Sequence, residues 1–373
     1  MKITIISTAY PLRGGIAHFV GLLYNELKKR HDVNILTFKR QYPEFLFPGK
    51  TQMDKEDNVE AVDSEVVVDS INPFNWLKIG KRLKREKPDL IIYKYWMPFF
   101  APCFGTISKT AAKNGTTKTL VICDNVLPHE SKPGDKIFTK YLFKHADYFV
   151  TMSESVKADL LKLKPDAKYS LLHHPVYSNF GKAVSKDEAK KFLNIEGEKI
   201  LLFFGFVRKY KGLDVLIETL RILNEKEDVK LLVAGEFYDD EEKYLSLIKK
   251  YSLEEKVKII SDFIPNDEVK YYFSASDVAV LPYKDATQSG IVQIANNFLK
   301  PVIATDVGGL GEIIKNGENG YLVPKENPKK LAEAIEKYYA ENKEAEFSSR
   351  IEEEQNKFSW DAFVKGIENL VKV

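Results

Sequence analysis

Residues 281–324 read LPYKDATQSGIVQIANNFLKPVIATDVGGLGEIIKNGENGYLVP, and their pattern decides the architecture. The apolar run Val278 to Leu281 reads as the end of a strand that passes into a polar loop, Lys284 to Ser289. A helix is expected to start at Gly290. The buried-strand signal Pro301-Val302-Ile303-Ala304 follows, and then the glycine turn Gly308-Gly309. A strand-to-helix turn leaves backbone N–H groups unpaired at the helix N-terminus, which suits a phosphate. Thr287, Ser289 and Gly290 are small enough to let an anion approach that backbone. The start of the chain repeats the pattern. MKITIIST reads as a strand, Ala9 to Gly15 as a loop ending in Gly14-Gly15, and Ile16, Phe19, Val20, Leu23 and Leu27 as one face of a helix. The expectation is one strand–loop–helix anion site in each half.

Working outward, strand-length apolar runs alternate with helix-period segments, as in α/β units built on parallel sheets. Strands are expected at Lys2–Ser7, Asp32–Phe38, Leu90–Tyr93, Thr119–Cys123, Tyr148–Met152 and Tyr169–Leu172 in the first half. In the second half they are expected at Lys199–Phe204, Lys230–Ala234, Val257–Ile260, Val278–Leu281, Pro301–Ala304 and Gly320–Val323. The two sets match in spacing, and 373 residues are too many for one ordinary core, so two domains are expected. No period holds from Pro175 to Glu188, which reads as the linker, and an amphipathic helix is expected to start around Phe358-Ser359-Trp360.

Composition excludes several classes. The 56 basic residues are balanced by 54 acidic ones, which argues against a dedicated nucleic-acid binder. The two cysteines, Cys103 and Cys123, exclude a disulfide framework and have no zinc-site spacing. No apolar run approaches the roughly 20 residues of a membrane span, and the first residues have no signal-peptide layout. A reducing, cytoplasmic setting is the expectation.

Five segments occur in a telling order: YPLRGGIAHFV at 10–20, CDNVLPHE at 123–130, FFGFVRKYKGLDVLI at 203–217, LLVAGE at 231–236 and the 281–324 block. Together they resemble the retaining family 4 of nucleotide-sugar glycosyltransferases, of the two-Rossmann-domain GT-B type. The resemblance implies an α/β fold with two parallel sheets facing across a cleft. Residues 1–177 would form an acceptor domain, with the last helix, about 358–373, packing back on it, and residues 182–357 a donor domain. It further implies transfer of a hexose-type sugar from a nucleoside-diphosphate sugar to a hydroxyl acceptor, a sugar or a lipid-linked one, in polysaccharide or glycoconjugate biosynthesis. The donor is a co-substrate and no cofactor is implied. No Asp-x-Asp motif occurs, so metal independence is expected. No nucleic-acid partner and no obligate protein partner is indicated.

The resemblance also assigns residues. Gly14, Gly15 and Arg13 would meet the donor, together with Glu236, the backbone at Ile264, and Ser289-Gly290. Arg208 and Lys211 would neutralise the departing diphosphate. Relatives carry their arginine nearer the strand end, where Phe206 stands here, so Lys211 is the firmer of the two. They also carry two glutamates between 285 and 295. This chain has no carboxylate between Asp285 and Asn297, and Gln288 and Gln293 fall near those positions, Gln293 or Ile294 matching the second according to register. Glutamine hydrogen-bonds a hydroxyl without the anionic charge. At the strand end where relatives place a histidine stands Asp124, with His129 five residues later, and both are expected near the sugar. Glu312 reads as a helix-start residue, and His173-His174-Pro175 as a hinge element. Residues 71–89, INPFNWLKIGKRLKREKPD, admit two readings: a helix lying on a membrane surface, at the inner face, or an ordinary amphipathic helix on the sheet, which is the expectation. Two other functions stay open, a sugar-nucleotide epimerase and a binding or assembly protein with a degenerate donor site.

Overall fold

The structure, a computed structural model, describes residues 1–43, 62–127, 133–177, 179–224, 227–287 and 289–372. They form two compact units, Met1–Pro175 with Phe358–Val373, and Val176–Lys357.

Unit 1 runs β1 (Lys2–Ile6), α1 (Gly15–Lys28), β2 (Asp32–Arg40), β3 (Ser64–Asp69), α2 (Pro73–Glu86), β4 (Leu90–Tyr95), α3 (Ala101–Ala111), β5 (Lys118–Cys123), α4 (Asp135–Lys144), β6 (Tyr148–Thr151), α5 (Glu154–Leu163) and β7 (Tyr169–Leu171). Its sheet has the order β3-β2-β1-β4-β5-β6-β7, with every pairing parallel. Side chains alternate between faces along a strand. Ile91, Tyr93 and Tyr95 of β4 therefore join the core made with Ile79 and Leu83 of α2, Phe104 and Ile107 of α3, Leu142 and Phe143 of α4 and Leu160 of α5. The even-numbered residues of β4 face the other side, where α1 lies. The β3 strand was not expected from the sequence. It is an edge strand, SEVVVD, with Glu65 and Val66 exposed, so it lacks the continuous apolar run of a buried parallel strand.

Unit 2 runs α6 (Lys186–Leu193), β8 (Lys199–Phe204), α7 (Leu213–Leu223), β9 (Val229–Ala234), α8 (Glu241–Lys250), β10 (Val257–Ile260), α9 (Val269–Ala275), β11 (Val278–Leu281), α10 (Gly290–Asn297), β12 (Val302–Thr305), α11 (Leu310–Ile313), β13 (Gly320–Val323), α12 (Pro328–Ala340) and α13 (Glu344–Glu354). The sheet order is β10-β9-β8-β11-β12-β13, again all parallel. All six strands expected in this half are present within a residue at each end. The α6 helix starts at Lys186, inside the segment read as linker, because Ser185 caps it by accepting from the N–H of Glu188. Glu312 falls in the first turn of α11.

The final helix, α14 (Trp360–Val371), belongs to unit 1. Ser359 caps it, and Phe19 of α1 meets Trp360 at 5.0 Å and Phe363 at 5.7 Å between ring centroids. His31 and Arg30 reach Glu368 at 2.8 and 3.2 Å. No helix among the described residues is long and apolar enough to cross a membrane.

These strand orders locate the ligand edges. In an open parallel sheet the crevice forms at the carboxyl ends of the two strands where the order reverses direction. Those pairs are β1 and β4 in unit 1, and β8 and β11 in unit 2.

Candidate functional site

In unit 2 the two loops that flank the reversal follow β8 and β11. Past the end of β8 the chain keeps pairing with the segment after β9. Gly205 N donates to Ala234 O at 2.8 Å, Val207 N to Glu236 O at 2.9 Å, and Tyr238 N to Val207 O at 2.9 Å. Arg208 emerges from this extension exposed, its guanidinium 5.0 Å from the centre of the Tyr238 ring, which itself stacks on Phe206. Lys209 is likewise exposed. A single 3-10 turn, Lys209–Lys211, then reverses the chain. Gly212 has φ 71°, and a Cβ there would sit 2.0 Å from the carbonyl oxygen of Pro282, so glycine alone allows the approach.

That approach carries Lys211 under the β11 loop. Its ammonium lies 5.7 Å from the centre of the Tyr283 ring, and Tyr283 Oη is 3.4 Å from Ser289 Oγ. Lys284 ties the two loops together: its N–H donates to Tyr210 O at 2.7 Å and its ammonium pairs with Asp214 at 2.7 Å. Lys211 is buried, and no carboxylate among the described residues pairs with it. Burial first, and the charge of Arg208 second, push its pKa down to about 7. A buried ammonium facing no anion is costly, and an anionic ligand is the natural compensation.

The α10 helix begins at the same place. Ser289 caps it by accepting from Ile291 N at 3.3 Å, and Gly290 is its first residue. Gly309 N donates to Thr287 O at 3.0 Å, which pins the preceding loop. Beyond that loop a cavity of about 720 Å³ opens, lined by Asp285, Asp306, Gly308, Asn316 and Lys325. One turn into α10, Gln293 is fully buried, and neither its amide nitrogen nor its amide oxygen has a hydrogen-bond partner. Glu236 is buried at the end of the β9 extension. Ile264 is buried in the loop after β10, so its side chain belongs to the core and only its backbone is suited to a ligand. Lys211, Ser289 and Gly290 are thus brought together, Arg208 and Gln293 border them, and Ile264 lies toward the far edge of the sheet, after β10.

In unit 1, Gly14 follows β1 and caps α1 with φ 109°, and a Cβ there would meet nothing within 4 Å. Gly15 opens the helix and Arg13 is half-buried in the loop before it. Asp124 closes β5: its N–H donates to Tyr95 O at 2.8 Å. Its carboxylate accepts from Lys94 Nζ at 2.6 Å. Lys94, on the α1 face of β4, is 2% exposed, and its ammonium lies 3.6 Å from the centre of the Phe19 ring. Burial pushes its pKa down, and Asp124 opposes that. His174 meets the edge of the same ring at 5.3 Å, and its Nδ1 lies 2.8 Å from the carbonyl oxygen of Pro175. Burial first, then the charge of Lys94, push its pKa down to about 3, so the imidazole is neutral. Lys94 was missed in the sequence reading. Its signal was a lone lysine inside the apolar strand LIIYKY.

His129 and Gln288 lie outside the described residues. Among the described residues no group of three or more His, Cys, Asp or Glu side chains is arranged to hold a metal ion.

The family model described as "Glycosyl transferases group 1" matches residues 185–371, and the one described as "Glycosyltransferase Family 4" matches residues 13–179. An uncharacterized glycosyltransferase of Methanocaldococcus jannaschii is 25% identical, across 100% of this chain and 98% of its own length. The N-acetyl-alpha-D-glucosaminyl L-malate synthase of Bacillus anthracis is 23% identical, across 86% of this chain and 84% of its own. Among solved structures, Anabaena HepE in complex with UDP and glucose matches with a TM-score of 0.76 and 16% identity over 100% of both chains. The sucrose-phosphate synthase of Thermosynechococcus elongatus matches with a TM-score of 0.76 and 18% identity, over 100% of this chain and 98% of its own. At these identities the structural likenesses establish the fold.

Proposed function

The chain belongs to the group 1, family 4 glycosyltransferases, and from that premise we propose that it is a retaining, metal-independent enzyme that moves a hexose-type sugar from a nucleoside-diphosphate sugar to a hydroxyl acceptor. The observation that carries the reading is Lys211: a buried cation with no carboxylate partner among the described residues, beside the N-terminus of α10 at the strand reversal of unit 2. A diphosphate supplies the missing charge. The UDP in HepE supports a nucleotide-sugar donor here.

In the proposed reaction the bond between the anomeric carbon and the diphosphate breaks, and the acceptor hydroxyl forms the new bond on the same face. The hydroxyl proton passes to the departing phosphate oxygen, so no protein nucleophile is needed. Lys211 and Arg208 take up the charge that develops on the diphosphate, with the backbone N–H groups at Ser289-Gly290. Gln293 offers one donor pair and one acceptor to donor hydroxyls in place of a carboxylate. Asp124, held by Lys94, offers an acceptor at the unit 1 edge, where nothing crowds Gly14 within 4 Å of a Cβ position.

The test is a thermal-shift series with UDP, GDP, ADP and TDP, with magnesium and with a chelator, followed by transfer assays and assignment of the product anomer by NMR. One diphosphate should raise the melting temperature equally with and without metal, and the product should keep the donor's anomeric configuration. An inverted product would overturn the mechanism, and a metal-dependent shift would overturn metal independence. The lack of any carboxylate between Asp285 and Asn297 favours one second reading, a protein that binds the donor without transferring it. Binding without turnover across a broad acceptor panel would support that reading.

A further inference from the structure

The helices on one face of unit 1 carry a feature that sugar transfer does not use. The α2, α3 and α4 helices turn Ile79, Leu83, Phe104, Ile107, Leu142 and Phe143 onto the sheet. Their outer side is not the polar surface this should leave. Phe74 and Leu77 on α2 are 84% and 42% exposed, and Ile137 and Phe138 on α4 are 71% and 44% exposed. Phe74, Ile137 and Phe138 lie in the first turns of their helices and Leu77 at the start of the second, and α2 and α4 follow the carboxyl ends of β3 and β5, so the four gather toward the sheet edge that holds Gly14 and Asp124. Large exposed apolar groups gathered at one edge call for a partner.

Charge on the same helices says which partner. Five cations and one acid sit on α2, one cation and no acid on α3, and three cations and one acid on α4. Across the whole chain the two signs are nearly equal, 56 to 54, so this face is segregated. The acid of α2, Glu86, is taken up by Arg82 at 2.6 Å. Lys78, Lys81, Lys84 and Arg85 on α2, and Lys136, Lys140 and Lys144 on α4, are exposed, and none pairs with a carboxylate of the described residues. On α2 the positions 74, 77, 78, 81 and 85 follow helical spacing, so apolar tip and cations form one stripe. Apolar side chains at the tip with lysines and arginines behind them match an interface whose headgroups are anionic and whose interior is hydrocarbon.

We infer that the α2–α4 face of unit 1 docks on the surface of a bilayer containing anionic phospholipid. Phe74, Leu77, Ile137 and Phe138 enter the headgroup region, and the cations of α2 and α4 contact lipid phosphates. Docked this way, the carboxyl edge of the unit 1 sheet faces the lipid surface, where a membrane-anchored hydroxyl acceptor would be met. The docking itself stands apart from the sugar-transfer reading, since it needs neither donor nor turnover.

The experiment is co-sedimentation of the full chain with vesicles of phosphatidylcholine alone, and of phosphatidylcholine mixed with phosphatidylglycerol. Three proteins are compared: wild type, the apolar variant Phe74→Ser/Ile137→Ser, and the charge variant Lys78→Glu/Lys81→Glu/Lys84→Glu. Circular dichroism and melting temperature check that both variants keep the native fold, as substitutions of exposed side chains should. Wild type should pellet with the mixed vesicles and stay in solution with phosphatidylcholine alone. Each variant should bind the mixed vesicles at least about tenfold more weakly. Failure of the wild type to pellet with the mixed vesicles overturns the proposal. So does an apolar variant that pellets undiminished while heparin competes with vesicles for wild type, since the face would then be a polyanion site.

Discussion

Replacing Lys211 with methionine should make the unligated protein more stable and the ligand-bound protein weaker. The ammonium is buried, Arg208 repels it, and its pKa falls from an ordinary value of 10.5 to about 7. The folded value lies below the unfolded one, so the unfolded chain holds the proton more tightly. The cost is therefore fully present below about pH 7 and fades as pH rises toward 10.5. At about 1.4 kcal/mol for each tenfold change in proton affinity, holding the charge opposes folding by about 5 kcal/mol at pH 6 and about 2 kcal/mol at pH 9. Methionine fills a similar volume without the charge. Its variant should melt roughly 10 °C above wild type at pH 6, with the gap about halved at pH 9. Saturating nucleoside diphosphate should reverse the order, because wild type gains binding energy that the variant lacks. Diphosphate affinity of the wild type should also fall by up to about tenfold per pH unit above 7, as Lys211 loses its proton. Scanning fluorimetry at both pH values, with and without UDP and GDP, reads all of this. A variant that melts at or below wild type at both pH values, with ligand response intact, would refute the reasoning: the ammonium would already be compensated in the free protein and would not be waiting for an anion.

Three further outcomes follow from the geometry. Gly212→Ala forces a Cβ against the carbonyl of Pro282 at 2.0 Å and a strained φ, so it should destabilise unit 2 by about 2–4 kcal/mol and lower diphosphate affinity, read by denaturant melts and calorimetry. Lys94→Met leaves Asp124 without its buried counter-charge and should cost about 3 kcal/mol, part of which Asp124→Asn in the same chain recovers; a double-mutant cycle with no coupling would contradict the pair. Gln293→Leu removes two orphaned amide atoms and should raise the stability of the free protein by about 1–3 kcal/mol while weakening donor binding, which the ratio of KM change to melting change separates from simple repacking.

What the sequence makes legible divides along physical lines. The inner strands of unit 2 are visible because β11 (VAVL) and β12 (VIAT) are buried throughout and β8 carries the apolar run ILLFF, and the half-buried edge strand β10 still offers Val257, Ile259 and Ile260 around its one lysine. The β3 strand escapes because an edge strand with Glu65 and Val66 in solvent lacks that run. Both strand–loop–helix turns, into α1 at Gly14-Gly15 and into α10 at Ser289-Gly290, are visible as punctuation, since a tight turn constrains local residue choice. Lys94 is not, because its partner Asp124 stands thirty positions later and meets it only through the register that sets Lys94 beside Ile122 and Tyr95 beside Cys123. The residues 71–89 are legible as an amphipathic helix, yet the sequence cannot say that Phe74 would be left in solvent, because α3 covers the opposite side of that helix at Ile79 and Gly80.

The energetic state of the polar groups is the least legible of all, and it bears most directly on function. Sequence reading names Lys211 and Gln293 as candidates from type and position. Folding adds that both are buried and that, among the described residues, no carboxylate pairs with Lys211 and Gln293 is the one side chain with two buried polar atoms lacking partners. Each such group opposes folding by about 1–3 kcal/mol or more. The other buried lysine among the described residues, Lys94, finds Asp124, and the half-buried Lys284 finds Asp214. The uncompensated pair lies at the strand reversal of unit 2, on the loop after β8 and on the helix after β11. A polar ligand that carries negative charge for the ammonium and hydroxyls for the amide relieves both at once, and a nucleoside diphosphate bearing a sugar is a ligand of that composition.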